Sequence, residues 1–256
     1  MIKENKIKKM LAEGKTAIGT YIKSTDPAIT EVICMSGFDF VIFDNEHTSM
    51  NKETMVNLIR TSEIYDVPAF VRVRECDQPQ ILQALDAGAV GVQVPNVNNA
   101  EDVVKSVKST KYAPNGYRGF AVSQRSAGYG CSMNAADYIK LNNENIMTIC
   151  YCETKAGYDN LDEILKVDGL DMIFMGPADL SQAFGVIGSP SHPIVTDAMD
   201  IIIEKTLKAG KYVGTIAADG DAVNHWIQKG VNFLVMSSDF GLMNSCAKQY
   251  LAQIKR

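Results

Sequence analysis

The sequence contains no long apolar run and no extended cluster of basic residues. Nowhere does it reach the roughly 18 consecutive apolar residues that a membrane-spanning helix needs, and the N-terminus lacks the apolar core of a signal peptide. The net charge is −5, with 25 Lys and Arg against 30 Asp and Glu. A nucleic-acid partner is disfavoured, because phosphate contacts call for a basic face. We expect a soluble, cytoplasmic protein that binds neither nucleic acid nor membrane.

Two kinds of short motif are also missing. The six cysteines show none of the C-x-x-C spacing of zinc and redox sites, and Cys150 and Cys152 lie in an apolar run, so reduced, buried thiols are expected. No G-x-G-x-x-G fingerprint follows the first strand. Its absence disfavours an open, doubly wound sheet, which is the alternative fold.

The chain alternates short apolar segments with helical patterns. The apolar segments are mostly continuous, as in parallel strands covered on both faces. The predicted strands are 16–22, 38–44, 67–73, 89–95, 145–153, 169–176, 211–217 and 231–238. The predicted helices are 27–36, 51–64, 77–87, 99–110, 134–143, 159–167, 195–209, 219–229 and 241–254, with 111–133 as a long loop over the barrel. This alternation predicts an α/β fold, a (β/α)₈ TIM barrel with residues 1–256 in one domain.

Active sites in such barrels lie at the C-terminal ends of the strands, where this sequence places several charged residues: Asp44, Glu46, His47, Arg72, Glu153 and Asp179. Glu153 and Asp179 follow neighbouring strands, and their carboxylates would repel unless a cation lay between them. Two carboxylates without nearby Cys or His suit a hard divalent ion. Arg72 suits a carboxylate or an oxyanion, and "MGPADLS" offers N–H groups at a helix start. Together these groups indicate a site for a 2-oxo acid and its enolate.

At these residues the sequence resembles the HpcH/HpaI family of class II, metal-dependent pyruvate aldolases, which includes 4-hydroxy-2-oxo-heptanedioate and 2-keto-3-deoxyglucarate aldolases. The similar segments span nearly the whole chain and include "GFDFVIFDNEH", "LDAGAVGVQVPNVNNAED", "ETKAGYDNLDEI" and "GLDMIFMGPADLSQAFG". The resemblance implies a carbon–carbon lyase. Such an enzyme cleaves a 4-hydroxy-2-oxo acid to pyruvate and an aldehyde, and also catalyses the reverse condensation.

The resemblance also implies roles for individual residues. Glu153 and Asp179 would hold Mg²⁺, Mn²⁺ or Co²⁺. His47, oriented by Asp44, would act as general base, and Arg72 would stabilise the enolate oxygen.

The same resemblance extends to the substrate carboxylate and to assembly. The backbone amides of Gly176 and Ala178 would bind the carboxylate. The family's assembly implies a homohexamer, a trimer of dimers with exchanged C-terminal helices, in which Asp86 reaches a neighbour's site.

Three residues depart from the family pattern: Asn45 in place of Gly, Tyr151 in place of Gln, and Arg74 where Pro is frequent. Tyr151 shares strand parity with Glu153, so we expect it to point into the mouth. There it would tune the choice of aldehyde; the alternative is a Tyr151 packed in the core without substrate contact.

Other functions stay open at this point. A Schiff-base aldolase would need a lysine at the mouth, and Lys155 is the nearest candidate. A non-catalytic 2-oxo-acid-binding relative and a CoA-thioester lyase of the citrate-lyase-β type are further alternatives. His192 and His225 are expected to be structural, and the sequence names neither the aldehyde nor the preferred metal.

Overall fold

The protein folds as a closed barrel of eight parallel strands in the chain order β1 to β8, as seen in a computed structural model that describes residues 4–255. The strands are β1 Ala17–Ile22, β2 Phe40–Asp44, β3 Ala69–Arg72, β4 Gly91–Val94, β5 Met147–Tyr151, β6 Met172–Met175, β7 Tyr212–Ala217 and β8 Phe233–Ser238. Each lies within its predicted range, and β1 pairs with both β2 and β8. The predicted (β/α)₈ fold is confirmed.

Helices surround the barrel, most of them within or near the predicted ranges; α1 and α9 lie outside those ranges. They are α1 Lys6–Ala12, α2 Pro27–Met35, α3 Lys52–Ile64, α4 Gln78–Ala87, α5 Ala100–Thr110, α6 Ala135–Asn145, α7 Lys155–Asp159, α8 Leu161–Leu165, α9 Pro177–Ala183, α10 Pro193–Lys208, α11 Gly220–Gln228 and α12 Asp239–Ala252. The single helix predicted at 159–167 is wrong: two short helices, α7 and α8, meet at Asn160. The first begins earlier because the Thr154 hydroxyl caps it by accepting a hydrogen bond from the Gly157 N–H at 2.9 Å.

Successive residues of each strand face two different cores, because side chains alternate along a strand. Inside the barrel, aromatic rings pack together, with Phe40 stacked on Phe233 at a centroid distance of 4.1 Å and Phe70 edge-on to both. Outside it, residues such as Val41 and Phe43 pack against the helices. Both faces are therefore apolar, which explains the continuous apolar runs in the sequence.

The sequence analysis expected the long loop at 111–133 to cover the barrel. In the structure it does not. It packs along the outer helices, where Arg118 binds Asp86 near the end of α4 and Arg125 binds Glu63 near the end of α3. The loop includes a short 3₁₀ segment, Arg125–Gly130. The mouth of the barrel is left open.

The C-terminal helix α12 packs weakly on its own barrel. Asp239 is its one buried residue within the described chain. Large apolar side chains along the rest of the segment are exposed: Phe240, Met243, Tyr250, Leu251 and Ile254. An apolar surface of this kind marks an interaction site.

No helix within residues 4–255 is long and apolar enough to cross a membrane. All six cysteines are free, and Cys150 and Cys152 are buried, as expected from the apolar run that contains them. Cys131 and Cys246 are exposed.

Candidate active site

A cavity of about 370 Å³ opens at the C-terminal ends of the strands. Most residues that the sequence analysis placed in a site line it: His47, Arg72, Tyr151, Gly176, Ala178 and Asp179. A second cavity, of about 800 Å³, lies beside it and shares Pro177, Ala178, Ile216 and Ser237 with it. The mouth of the barrel thus brings the predicted residues together.

Arg72 is fixed by a buried ion pair with Asp44. Its Nε lies 3.0 Å from Asp44 Oδ1 and its Nη2 lies 2.6 Å from Oδ2, a bidentate arrangement. Its Nη1 lies 3.3 Å from Glu46 Oε2, and its guanidinium lies over the Tyr21 ring at 4.7 Å. Burial alone would raise the pKa of Asp44, but the hydrogen bonds from Arg72 hold it below its usual value. Asp44 is therefore an anion that orients the guanidinium.

The expectation that Asp44 orients the His47 ring is wrong in this structure. Asp44 accepts hydrogen bonds from the backbone N–H of Glu46 at 3.1 Å and of His47 at 3.2 Å, not from the imidazole. The reason lies in the strand register, which pairs Asp44 with Arg72 across β2 and β3. The His47 ring reaches into the cavity instead, with Nε2 3.6 Å from Glu46 Oε2.

Glu153 and Asp179 point their carboxylates at one place. A Cβ atom built on Gly176 would lie 2.9 Å from Glu153 Oε2 and 3.1 Å from Asp179 Oδ2. The missing side chain of Gly176 therefore leaves a small space with an oxygen from each carboxylate beside it. Glu153 is buried and its other oxygen accepts a hydrogen bond from the Asn96 N–H at 2.8 Å. Asp179 lies in the first turn of α9.

The electrostatics of this pair fit a divalent cation. Burial, together with the nearby Asp179 and Glu46, raises the pKa of Glu153 to about 7. Burial also raises the pKa of Glu46. Within residues 4–255 no three His, Cys, Asp or Glu side chains form a ready-made metal-binding group, so the pair would supply two ligands. Mg²⁺ is usually bound in this way, by one or two carboxylates together with waters and substrate oxygens.

Four polar residues at or beneath the mouth were not assigned a role in the site by the sequence analysis: Tyr21, Lys23, Glu46 and Gln93. Glu46 contacts both Arg72 and His47. Tyr21 and Gln93 form a hydrogen-bonded group with Tyr151, whose hydroxyl donates to Gln93 Oε1 at 2.9 Å and contacts the Tyr21 hydroxyl. Lys23 lines the cavity. Strand parity could have found Lys23, since it lies two residues after Tyr21 on the inward face of β1.

Three other candidates lie away from the mouth. Lys155, the predicted Schiff-base candidate, is exposed and forms an ion pair with Asp159. His192 caps α10 through its ring nitrogen, which accepts from the Ile194 N–H at 3.3 Å. His225 packs edge-on against Trp226. The structural roles expected for the two histidines fit these contacts.

The space beside Gly176 gives a direct test of metal binding. In Gly176→Ala the new methyl group would displace the two carboxylate oxygens, so we expect divalent-metal affinity to fall by about tenfold or more while the fold is kept. The backbone tolerates the change, since φ is −101°. Calorimetric titration with Mn²⁺ measures the affinity. Gly220→Ala, whose Cβ would meet no atom within 4 Å, is the matched control, and equal affinities in the two variants would contradict the assignment.

Known proteins have sequences and folds similar to those of this chain. A 5-keto-4-deoxy-D-glucarate aldolase of Enterobacter sp. (strain 638) is 33% identical over 252 residues, covering 98% of this chain and 97% of that protein. A HpcH/HpaI aldolase/citrate lyase family protein from Burkholderia cenocepacia J2315 has a TM-score of 0.92 at 26% identity, covering 97% of this chain and 98% of that one. The citrate synthase SbnG has a TM-score of 0.88 at 33% identity, covering 96% and 95%.

The family model described as HpcH/HpaI aldolase/citrate lyase matches residues 17–245. The match and the aldolase relative confirm the expected class of enzyme, a carbon–carbon lyase. As the sequence resemblance indicated, this chain belongs to the HpcH/HpaI aldolase/citrate lyase family.

Proposed function

We propose that the chain is a divalent-metal-dependent pyruvate aldolase. It would cleave a 4-hydroxy-2-oxo acid to pyruvate and an aldehyde and would catalyse the reverse condensation. The observation that carries the proposal is the convergence of Glu153 and Asp179 oxygens beside Gly176, in a cavity that also holds Arg72 and His47. The donor set suits a hard cation and a chelating 2-oxo acid. A cytoplasmic location, which suits the six free thiols, is part of the proposal.

Each group at the mouth has a part in binding. Glu153 and Asp179 would hold Mg²⁺, Mn²⁺ or Co²⁺, and such an ion supplies Lewis acidity that stabilises negative charge on the 2-oxo oxygen. Gly176 and Ala178 lie where α9 begins, so their backbone N–H groups would bind the substrate carboxylate.

The proton would move from the C4 hydroxyl to His47 and return from His47 to C3, while the electron pair of the broken bond stays within the substrate. His47 would accept the proton of the C4 hydroxyl, and Glu46, 3.6 Å from its Nε2, would stabilise the charged ring. The C3–C4 bond then breaks, leaving its electron pair in the enolate of pyruvate while C4 becomes the aldehyde carbon. Arg72 would stabilise the enolate oxygen, because a guanidinium has more N–H donors than its contacts with Asp44 and Glu46 use. Protonation of the enolate at C3 gives pyruvate.

Two alternatives have specific observations in their favour. A Schiff-base mechanism would have to use Lys23, because this lysine lines the cavity while Lys155 does not. The citrate synthase relative, at 33% identity, suggests a keto acid as acceptor in place of an aldehyde. Both can be separated from the proposal in one set of assays.

The test of function measures two reactions of pyruvate. With Mg²⁺ or Mn²⁺ present, the enzyme should exchange the pyruvate methyl protons into D₂O and condense pyruvate with aldehydes, both seen by NMR. EDTA should abolish both activities, and added metal should restore them. Full activity in EDTA, with pyruvate trapped on the protein by borohydride, would replace the metal with a Schiff base. Condensation of oxaloacetate with acetyl-CoA, without any condensation of pyruvate with aldehydes, would favour citrate synthesis.

Metal affinity should depend on pH through Glu153. Its pKa is raised to about 7, so the carboxyl is protonated below that pH and must lose its proton before it can bind a cation. Affinity should therefore fall about tenfold for each pH unit below about 7, with about one proton released per ion bound, and level off above it. Titration calorimetry in buffers of different ionisation enthalpy measures both quantities. A constant affinity from about pH 8 to about pH 6 would exclude Glu153 as the titrating ligand.

We also propose that the protein is a homo-oligomer, a hexamer of the family's type, in which α12 packs on a neighbouring barrel. The exposed apolar side chains of α12 support the exchange. Asp86 supports a shared site less directly. It lies at the far end of α4 from the mouth of its own barrel, and it is held by Arg118 at 2.6 Å. Asp86 therefore lies away from the site of its own barrel, and its role at a neighbour's site is part of this proposal.

Substitutions on α12 test this assembly without disturbing the barrel. Met243→Glu combined with Leu251→Glu places charge on two side chains that are 55% and 54% exposed. We expect a lower molecular mass by light scattering, with the thermal unfolding of the barrel preserved, because an exchanged helix would bury both positions. Gln249→Glu on the same helix is the control. An unchanged mass in the double variant would count against the exchange.

A further inference from the structure

Three polar side chains lie inside the barrel among aromatic and aliphatic residues. Tyr21, Gln93 and Tyr151 come from β1, β4 and β5 and are almost completely buried. The interior cluster beside them includes Phe40 and Phe70. A hydroxyl or an amide in such a place is unfavourable unless it is hydrogen-bonded. The proposed mechanism gives none of the three residues a part, so their presence calls for another explanation.

The three side chains form one hydrogen-bonded group. The Tyr151 hydroxyl donates to Gln93 Oε1 at 2.9 Å, and the Tyr21 hydroxyl lies 3.2 Å from the same oxygen and contacts the Tyr151 hydroxyl. Burial raises the pKa of both phenols, so both stay neutral. Within residues 4–255 Gln93 Nε2 is buried without a hydrogen-bond partner. This unpaired amide is unfavourable, which favours a functional reason for keeping the group.

The ring that this group holds lies against Arg72. The guanidinium carbon of Arg72 is 4.7 Å from the centroid of the Tyr21 ring, a distance at which a guanidinium is attracted to an aromatic face. Asp44 binds one edge of the guanidinium through Nε and Nη2. These two contacts leave the guanidinium plane free to tilt, and the Tyr21 ring restricts that tilt. Tyr21 and Arg72 both line the cavity of about 370 Å³.

The strand register explains why the group and Arg72 meet. Gln93 is paired with Arg72 across β3 and β4. Tyr21 reaches both from β1, which lies two strands away from β3 in the closed ring. The Tyr151 ring packs on Phe174 of the neighbouring strand β6, at a centroid distance of 4.8 Å. The Tyr21 ring is therefore held at its hydroxyl by residues of β4 and β5, while its face supports a residue of β3.

We propose that Tyr21 is a positioning residue for Arg72. Its ring, held by Tyr151 and Gln93, keeps the guanidinium plane aligned so that the free N–H groups of Arg72 meet the enolate oxygen. Tyr21 acts through Arg72 and has no contact with the reacting atoms. This inference rests on the proposed aldolase function and adds to it the residues that support the oxyanion donor.

The test measures the exchange of pyruvate methyl protons into D₂O by NMR, with Mn²⁺ bound and pyruvate at saturation. Tyr21→Leu, which removes the ring, should lower kcat for exchange by about tenfold or more, as expected for a misplaced donor to a developing oxyanion. The KM for pyruvate and the affinity for Mn²⁺ should stay at their wild-type values, because the metal ligands are untouched. Tyr21→Phe, which keeps the ring and loses only its hydroxyl, should recover most of kcat.

A matched control separates positioning from general damage to the barrel. Phe233 is also fully buried inside the barrel, and its ring packs on Phe40 and Phe70. Phe233→Leu should lower the melting temperature, as loss of a core ring does, while keeping the wild-type kcat for exchange. An equal loss of kcat in Phe233→Leu and Tyr21→Leu would overturn the inference, as would a parallel loss of Mn²⁺ affinity in Tyr21→Leu.

A double-mutant cycle shows whether Tyr21 acts through Arg72. In Arg72→Lys the ammonium has no plane for a ring to fix, so adding Tyr21→Leu should change kcat for exchange by no more than about twofold. Independent, multiplying losses would overturn the inference, and so would a wild-type kcat in Tyr21→Leu alone. Failure of the aldolase function would look different, since the wild-type protein with Mn²⁺ would then exchange no pyruvate protons, and the inference would fall with it.

Discussion

The burial of the Glu153 carboxylate beside Asp179 is the constraint on which the mouth of the barrel depends. A buried carboxylate beside a second acidic group is unfavourable unless a cation or a proton compensates it, and the raised pKa of Glu153 expresses that cost. The fold nevertheless keeps both oxygens beside Gly176, where any side chain would intrude. The stability lost in this arrangement would be recovered on binding of the divalent ion that we propose, and a cost of this kind is frequent at functional sites.

The positive side chains balance other acids and so leave the pair uncompensated. Arg72 is committed to Asp44 by two hydrogen bonds and lies close to Glu46. Lys23 lies near Asp44. These four residues carry no net charge together, so the carboxylates of Glu153 and Asp179 account for the local excess of two negative charges that a divalent ion would neutralise. The charge count thus separates the carboxylates that hold the guanidinium from the carboxylates that would hold the metal.

The fold and the convergence of the Glu153 and Asp179 carboxylates were predictable from sequence because both depend on local pattern. Each strand reads as an apolar run, and Glu153 and Asp179 follow strands that are neighbours in chain order, so their convergence needs no further information.

The partner of Asp44 was not predictable in this way. His47 is three residues away along the chain, whereas Arg72 is adjacent only through the register of β2 and β3. Lys23 was missed although strand parity could have placed it at the mouth. The pair α7 and α8 was missed because Thr154 caps a helix that begins earlier than predicted and ends at Asn160.

The hypothesis that Tyr151 tunes aldehyde choice remains a prediction, but the structure gives it a wider physical basis. Burial raises the pKa of Tyr151 well above its ordinary value, so the phenol stays neutral and acts as a hydrogen-bond donor. Its hydroxyl is bound to Gln93 and Tyr21 beneath the cavity, and the Tyr21 ring supports the Arg72 guanidinium. A change at position 151 would therefore reach Arg72 through Tyr21 as well as reshape the cavity floor. If these roles hold, acceptor choice and enolate stabilisation would be coupled through this polar layer, because one group of side chains would support both.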